Sequence, residues 1–174
     1  MKKDWINKNE FFEALSQTLE TVSIVTTDGE FGRGGLTVTS MCSVSAEPPS
    51  VLVCINEKSS VCDMIRRNGV MCVNILREDQ ANISDIFSGK LNEDSEDQFS
   101  IGEWVTASTG SPLLVNALIS LDCRIQNELR YGTHFILIGN IEQSNLNKLG
   151  WPLVYRTRRY ETSKDIRSFV IDNS

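Results

Sequence analysis

Hydroxyl-bearing side chains are concentrated in residues 37–45, a stretch without a charged residue. Those that could contact a ligand are Thr37, Thr39, Ser40 and Ser43, together with the neighbouring Met41 and Cys42. A hydroxyl both donates and accepts hydrogen bonds, so such a run could line a polar, enclosed ligand. High β-propensity gives a simpler explanation, because threonine is common in strands that bind nothing. The run predicts a strand and leaves a binding role open.

A second polar group, Asn56 with Ser59 and Ser60, lies where a strand is expected to end and a helix to begin. Amide hydrogens and the positive end of the helix dipole converge at such a point, so an anionic phosphate could be held there. Most serine caps, however, bind nothing. Taken alone, this group is better explained as an ordinary helix start.

The only histidine, His134, lies at the entry to an apolar strand, where a structural role competes with a catalytic one. A Ser-His-Asp or Cys-His arrangement would depend wholly on this residue, and no GxSxG elbow accompanies it, which disfavours hydrolase chemistry. Aromatic and cationic side chains alternate near residue 155, among them Tyr155 and Arg158. They could line an aromatic, anionic ligand, or they could form an edge strand with solvated arginines.

Composition excludes several classes of protein. Lys and Arg total 17 against 23 for Asp and Glu, a net charge of −6, so the summed field would repel a nucleic-acid backbone. The five cysteines are an odd number without a CxxC pair, which disfavours a zinc site and a disulfide framework. No apolar run approaches the roughly 20 residues that span a bilayer, and no signal peptide is visible at the start. We expect a cytoplasmic protein with no metal, nucleic-acid partner or membrane segment.

The apolar periodicity predicts a mainly β chain with three short helices, over residues 10–19, 59–68 and 79–87. Ser60 and Asp63 stand in capping-box spacing at the second helix, and Gly69 is its expected stop. Strands are expected at 21–27, 35–45, 50–56, 70–76, 117–127, 133–143 and 153–160. Their adjacent order favours one antiparallel barrel over a doubly wound sheet.

The sequence also predicts turns and loops between these elements. Pro48 and Pro49 are expected to separate two strands, and turns are expected at Asn127, at Gly132 and at residues 145–147. Residues 93–97 are predicted to form a solvated acidic loop. The cluster at residues 32–35 is predicted to be a hairpin turn. Thr37 stands where a GxGxxG fingerprint needs its third glycine, and a strand follows instead of a helix.

Together these segments resemble the short-chain flavin reductases that supply reduced flavin to two-component flavin-dependent monooxygenases. The resemblance extends from Phe11 to Tyr160. It is carried by residues 35–45 followed by Glu47-Pro48-Pro49, by Asn56 with Ser59-Ser60, by residues 132–134 leading into Ile138-Gly139, and by residues 152–155.

The resemblance implies a homodimeric split β-barrel of Greek-key order, with one domain over residues 1–174 and a tail from about 161 to 174. It implies that Thr37, Thr39, Ser40, Met41, Cys42 and Ser43 contact the flavin ring and ribityl chain, and that Asn56, Ser59 and Ser60 meet its phosphate end. Tyr155 and Arg158 would lie near the flavin, and His134 would contact the nicotinamide. Two residues depart from the family pattern: Thr133 replaces an acidic residue, and Arg158 stands where many relatives have glycine.

The activity so implied is hydride transfer from NADH or NADPH to FMN or FAD, with a monooxygenase component as partner of the reduced flavin. The protein would mainly hold donor and acceptor in contact, which suits a sequence with few catalytic acids or bases. Two alternatives stay open. One is an electron-transfer protein of the same fold that keeps its FMN, and the other is a ligand-binding barrel without flavin.

Overall fold

The computed structural model describes residues 5–89 and 97–163, which form a mainly β protein with short helices. The helices are α1 (Lys8–Ser16), α2 (Ser60–Asn68) and α3 (Ala81–Phe87), with a 3-10 turn at Gln98–Ser100. The strands are β1 (Glu20–Thr21), β2 (Ser23–Thr27), β3 (Gly34–Val38), β4 (Cys42–Ala46), β5 (Pro49–Asn56), β6 (Val70–Ile75), β7 (Trp104–Thr106), β8 (Pro112–Leu114), β9 (Ile119–Tyr131), β10 (His134–Leu146), β11 (Leu153–Arg156) and β12 (Arg159–Thr162).

An antiparallel sheet of seven strands, in the order β3-β2-β6-β9-β10-β5-β4, forms the body of the molecule. Its two edges, β3 and β4, are consecutive in the chain but lie at opposite ends of the ladder. Within residues 5–89 and 97–163 no strand pairing joins these edges, so the sheet is not closed into a barrel by hydrogen bonds. Smaller sheets of order β1-β11-β12 and β7-β8 flank it.

Two large apolar cores, and a small cluster of Cys72, Ala107 and Leu113, lie against the seven-stranded sheet. Neighbouring residues of β2 enter different cores, Val25 the first and Ile24 the second, as the two-residue period of a strand requires. Helix α2 contributes Cys62 and Ile65 to the first core, and α3 contributes Ile83 and Phe87 to the second. The sheet is therefore covered by α2 on one side and by α3 on the other.

The predicted strand at 35–45 is wrong as a single element, because β3 ends at Val38 and β4 begins at Cys42. Strand β3 pairs with β2 and β4 pairs with β5, so the chain must cross between opposite edges of the sheet. Pro49 begins β5 opposite Ala46, and Glu47-Pro48 forms the turn before it. The prolines thus connect a hairpin, as a missing N–H permits at the first residue of a strand.

The predicted strand at 153–160 is also two strands, β11 and β12, joined by a two-residue turn. Thr157 and Arg158 both have positive φ there, 47° and 62°, which is the geometry of a type I′ hairpin turn. Asn127 is not a turn residue but lies inside β9, and β10 continues through Asn145 to Leu146. Strands β7 and β8 had no counterpart in the sequence prediction. The predicted acidic loop at 93–97 lies almost wholly outside the described residues.

The glycine cluster at residues 32–35 only begins as a turn. Gly32 has a φ of 108°, whereas Gly34 and Gly35 already belong to β3. A Cβ on Gly35 would lie 2.6 Å from Cε1 of Phe87. Glycine is therefore needed at this position because α3 packs directly against the strand backbone.

The helices agree with the sequence prediction more closely. Helix α1 begins at a capping box of Asn7 and Glu10, and α2 ends at Gly69 in the left-handed conformation, as expected. The N-cap of α2 is Ser59 and not Ser60, and its side chain makes no capping hydrogen bond. No helix in residues 5–89 and 97–163 is both long enough and apolar enough to cross a lipid bilayer.

Candidate functional site

A cavity of about 510 Å³ lies between α1 and the β11–β12 hairpin; we call it the hairpin cavity. Phe11, Phe12 and Leu15 of α1 give it an apolar wall, and Thr39, Tyr155 and Arg158 lie on its other side. A smaller cavity of about 170 Å³ adjoins it, lined by Thr37, Thr39, Tyr155 and Tyr160 among others. Four predicted site residues, Thr37, Thr39, Tyr155 and Arg158, therefore surround two adjoining cavities that share Thr39 and Tyr155.

The two threonines are fixed by hydrogen bonds to the elements around them. The Thr37 hydroxyl donates to the Ser84 carbonyl of α3 at 2.7 Å, and the Thr39 hydroxyl donates to the carboxylate of Glu20. Because both hydroxyl protons are used by the protein, each oxygen is left with acceptor capacity toward a ligand. No sequence pattern predicted that Glu20 would hold Thr39.

Tyr155 and Arg158 are held by the β11–β12 hairpin. The ring of Tyr155 packs edge-on against Tyr160, with centroids 5.4 Å apart, and the Tyr160 hydroxyl donates to Ser84 Oγ at 2.9 Å. The turn itself is anchored on α1, because the Thr157 N–H donates to the Ser16 carbonyl at 2.7 Å. This anchoring places the exposed Arg158 between the hairpin cavity and a second, more polar opening.

Ser40 connects this region to β5. Its hydroxyl donates to the Cys54 carbonyl at 2.8 Å and accepts from the Cys54 N–H at 3.1 Å. The chain next to Thr39 is thus tied two residues from Asn56, the last residue of β5. Met41 packs against the first core, so its side chain has a structural role.

The two candidate residues on β4, Cys42 and Ser43, lie elsewhere. All residues of β4 are exposed, including Cys42 and Ser43, and Cys42 stands opposite Leu52 in the ladder. Neither lines the hairpin cavity or its smaller neighbour. The break between β3 and β4 separates the two halves of the run, which one continuous strand would have kept together.

The predicted phosphate group lies at the β5–α2 junction. Asn56 accepts the Lys58 N–H on Oδ1 at 2.9 Å and the Ser59 N–H on its carbonyl at 3.0 Å, which shapes a tight turn into the helix. Ser59 is half-buried, Ser60 is exposed, and no side-chain cap covers the first turn of α2. The junction thus presents an uncovered helix N-terminus beside two hydroxyls.

His134 lies beside this junction, directly opposite Asn56 in the β10–β5 ladder. Its Nδ1 atom is 3.0 Å from the Thr133 hydroxyl. The Glu57 N–H donates to the Thr133 carbonyl at 3.0 Å, and the Glu57 carboxylate accepts from Nε of Arg130 at 2.8 Å. The guanidinium of Arg130 lowers the pKa of Glu57 from its ordinary value, so this pair is ionised at neutral pH.

The folded chain thus sets a histidine beside an uncovered helix N-terminus. It also places a cavity of aromatic and cationic side chains at Thr39, next to the serine that is tied to β5. The flavin reductase like domain matches residues 15–164 of this sequence. The chain belongs to this family.

Relatives within the flavin reductase family cover most of this chain. FMN reductase (NADH) RutF of Pantoea ananatis is 38% identical over 159 residues, 91% of this chain and 83% of that protein. FMN reductase (NADH) RutF of Agrobacterium fabrum is 40% identical over 151 residues, 87% of this chain and 86% of that protein.

Solved structures of the flavin reductase family share the fold. A structure assigned as a candidate flavin reductase from Haemophilus somnus 129pt has a TM-score of 0.85 at 39% identity, covering 91% of this chain and 100% of that one. Component B of nitrilotriacetate monooxygenase from Mycobacterium thermoresistibile has a TM-score of 0.82 at 28% identity, covering 90% of this chain and 87% of that one.

In this flavin reductase family member, sequence reasoning missed three contributors to the candidate site. The sequence predicted helix α1 but not its role. None of its residues, all of which the structure describes, is buried, and its phenylalanines line the hairpin cavity. Glu20 and the Glu57–Arg130 pair were also missed. The exposed phenylalanines could have been suspected from the helical spacing, whereas the Glu57–Arg130 pair joins residues 73 positions apart and has no local signal.

Proposed function

We propose that this protein is an NADH-dependent FMN reductase. The observation that supports the proposal most is the position of His134 opposite Asn56, because the residue that we expect to contact the nicotinamide then lies beside the predicted phosphate site. The names of the RutF relatives favour FMN and NADH over FAD and NADPH. Expression in the cytoplasm remains a prediction from the sequence.

The residues around the hairpin cavity fit a flavin. Tyr155 offers an aromatic ring, Thr37 and Thr39 offer hydroxyl oxygens, and Arg158 offers a guanidinium for an anionic group. The connection from Thr39 through Ser40 to Cys54 leads toward the β5–α2 junction, where Ser59, Ser60 and the first N–H groups of α2 would receive the flavin phosphate. Bound flavin supplies the chemistry of hydride acceptance.

The protein's own part in the reaction is to bind and orient. Thr133 fixes the His134 ring through the contact of its hydroxyl with Nδ1, which leaves Nε2 for a nicotinamide nucleotide. The apolar wall from Phe11, Phe12 and Leu15 would exclude water from the reacting groups. The hydride step needs no acid or base from the protein, because holding the nicotinamide and the flavin in contact can supply much of the rate acceleration.

A split barrel that pairs as a homodimer is part of the proposal. Leu52, Ile136 and Ile138 lie in register on the face of β5 and β10 that points away from the first core. Leu129 extends this face onto β9 and is 59% exposed. An apolar sheet face of this kind is typical of a surface that packs against a second copy. The same face carries His134 and Asn56 at its end, so a second copy would enclose the site.

An oxygenase component is the proposed consumer of the reduced flavin. This rests on the similarity to component B of nitrilotriacetate monooxygenase.

Steady-state assays that combine FMN and FAD with NADH and NADPH test the proposal. We expect the oxidation of the nicotinamide nucleotide to be fastest with the pair NADH and FMN, and its rate to depend on the concentrations of both. The proposal is wrong if no combination is oxidised faster than in the absence of protein.

A further inference from the structure

Glu57 belongs to the β5–α2 junction, one residue after Asn56 and two before Ser59, and it lies next to the turn that carries His134. Its N–H donates to the carbonyl of Thr133, the residue that precedes His134. Its carboxylate accepts from Arg130 at the other side of the β9–β10 turn. A single residue of the β5–α2 junction is thus bound to both arms of the turn that carries the histidine.

We propose that Glu57, through its ion pair with Arg130, is a positioning residue that sets His134 relative to the phosphate-binding junction. This inference rests on the proposed function, because it takes His134 to be the nicotinamide contact. Glu57 acts through Arg130 and Thr133, and it determines how well the reduced nicotinamide is held while leaving flavin binding nearly unchanged.

The register of the hairpin supports a positioning role over a binding role. Arg130 stands opposite Phe135, whereas His134 stands opposite Tyr131. Successive residues of a strand point to opposite faces of the sheet. Arg130 and its partner Glu57 therefore approach the hairpin from the face that His134 does not use, and the ion pair does not compete with a ligand for space.

The hairpin tip needs such a tether. Tyr131 is 77% exposed, and the turn consists of only Gly132, with a φ of 57°, and Thr133. A second ion pair, bidentate between Arg66 of α2 and Glu128 of β9, holds the hairpin further from the tip. The Glu57–Arg130 pair is the last side-chain ion pair before His134 among the described residues of this hairpin.

The test uses Glu57→Gln, Arg130→Gln and the double variant. Each removes the ion pair and keeps the N–H of residue 57. Glu142→Gln is the matched control, because Glu142 forms an exposed pair with Arg124 at 2.7 Å across the same two strands, away from the turn. All four variants should melt within a few degrees of the wild type.

We expect the KM for NADH to rise about two- to fivefold in each single variant, the range of an exposed ion pair. The KM for FMN and kcat at saturating NADH should stay nearly constant. The double variant should resemble either single variant, since both changes remove one interaction, and Glu142→Gln should match the wild type. An unchanged KM for NADH, or an equal rise in the KM for FMN, would overturn the positioning role.

A readout independent of activity separates this inference from the proposed function. Because the chain has one histidine, the Hε1 proton of its ring gives a single NMR signal that can be assigned directly. Arg130→Gln, which retains the charge of Glu57, should shift that signal toward the position of a mobile histidine, whereas Glu142→Gln should not. If the wild type failed to oxidise NADH but this shift appeared, the proposed function would be wrong and the tether would stand. If neither variant moved the signal, the tether would be wrong even in an active enzyme.

Discussion

His134 of β10 lies directly opposite Asn56 of β5. This relationship places the only histidine at the same end of the sheet as the start of α2, so a ligand whose phosphate is bound at the helix would extend past the imidazole. Replacing His134 with alanine should raise the KM for NADH about tenfold, the loss expected for one hydrogen bond to a charged ligand. FMN affinity, measured by fluorescence titration, should change much less. The KM of His134→Gln for NADH should lie between those of the wild type and the alanine variant, because glutamine keeps a hydrogen-bond donor. Equal losses of affinity for NADH and FMN would argue against the nicotinamide role.

Arg158 should exchange stability for ligand affinity. It adopts a φ of 62° in the hairpin turn, a conformation that glycine adopts without strain. Arg158→Gly should raise the free energy of unfolding by up to about 1 kcal/mol and weaken FMN binding by removing a cation. Thr157→Gly relieves the neighbouring φ of 47° without removing a charge. It should therefore stabilise the protein and weaken FMN binding less than Arg158→Gly does, although Thr157 also lines the hairpin cavity. Undiminished affinity in Arg158→Gly would remove this residue from the flavin site.

Gly35 should tolerate no side chain. Its Cβ would meet Cε1 of Phe87 at 2.6 Å, and Phe87 is part of the buried second core. Gly35→Ala should lower the free energy of unfolding by about 1–3 kcal/mol, as overpacking does, and urea titration measures it. Gly34→Ala is the control, because its nearest contacts would be less close, with Met64 Sδ at 3.2 Å and Val61 Cγ2 at 3.3 Å. An equal effect at both glycines would contradict the packing of α3 against β3.

Cys123 should make stability depend on alkaline pH. Burial, reinforced by the charge of Asp122, raises the pKa of this thiol to about 12. In the unfolded chain a cysteine thiol has a pKa of about 8.5. Below about pH 8.5 the Cys123 thiol is protonated in both the folded and the unfolded protein, so its contribution to the free energy of unfolding is fully present. Above it the unfolded chain loses a proton that the folded chain keeps, so stability falls by up to about 1.4 kcal/mol per pH unit.

The variant Cys123→Ala isolates this effect. In urea titrations, the free energy of unfolding of the wild type should exceed that of the variant most at neutral pH. This difference in free energy should become smaller between about pH 9 and 11. A constant difference across that range would show that Cys123 titrates normally in the folded protein.

Local patterns predicted most of the elements that carry the site. The strand before Asn56, the helix ending at Gly69 and the start of the strand at His134 follow from periodicity and turn residues. The break between Val38 and Cys42 does not, because the residues there include no glycine, proline, asparagine or aspartate to signal a turn. Only the crossing between opposite sheet edges interrupts the strand. Thr157 and Arg158 likewise form a type I′ turn without the usual asparagine or glycine.

Long-range pairs were beyond sequence reasoning. The bond from Thr39 to Glu20 and the ion pair of Glu57 with Arg130 depend on how distant strands meet. The resemblance to a family named the site residues in advance, but the structure separates them, with Thr37, Thr39, Tyr155 and Arg158 around the cavities and Cys42 and Ser43 on the exposed strand β4.

Anaerobic mixing of the protein with excess NADH and a tenfold excess of free FMN distinguishes a flavin reductase from a protein that only carries flavin. The flavin absorbance near 450 nm, a property of oxidised flavin in general, should disappear at a rate proportional to protein concentration and continue well past one equivalent of FMN per chain. Loss of absorbance that stopped at one equivalent would identify an electron carrier that keeps its flavin. An absorbance that did not change faster than in protein-free NADH and FMN would contradict the account altogether.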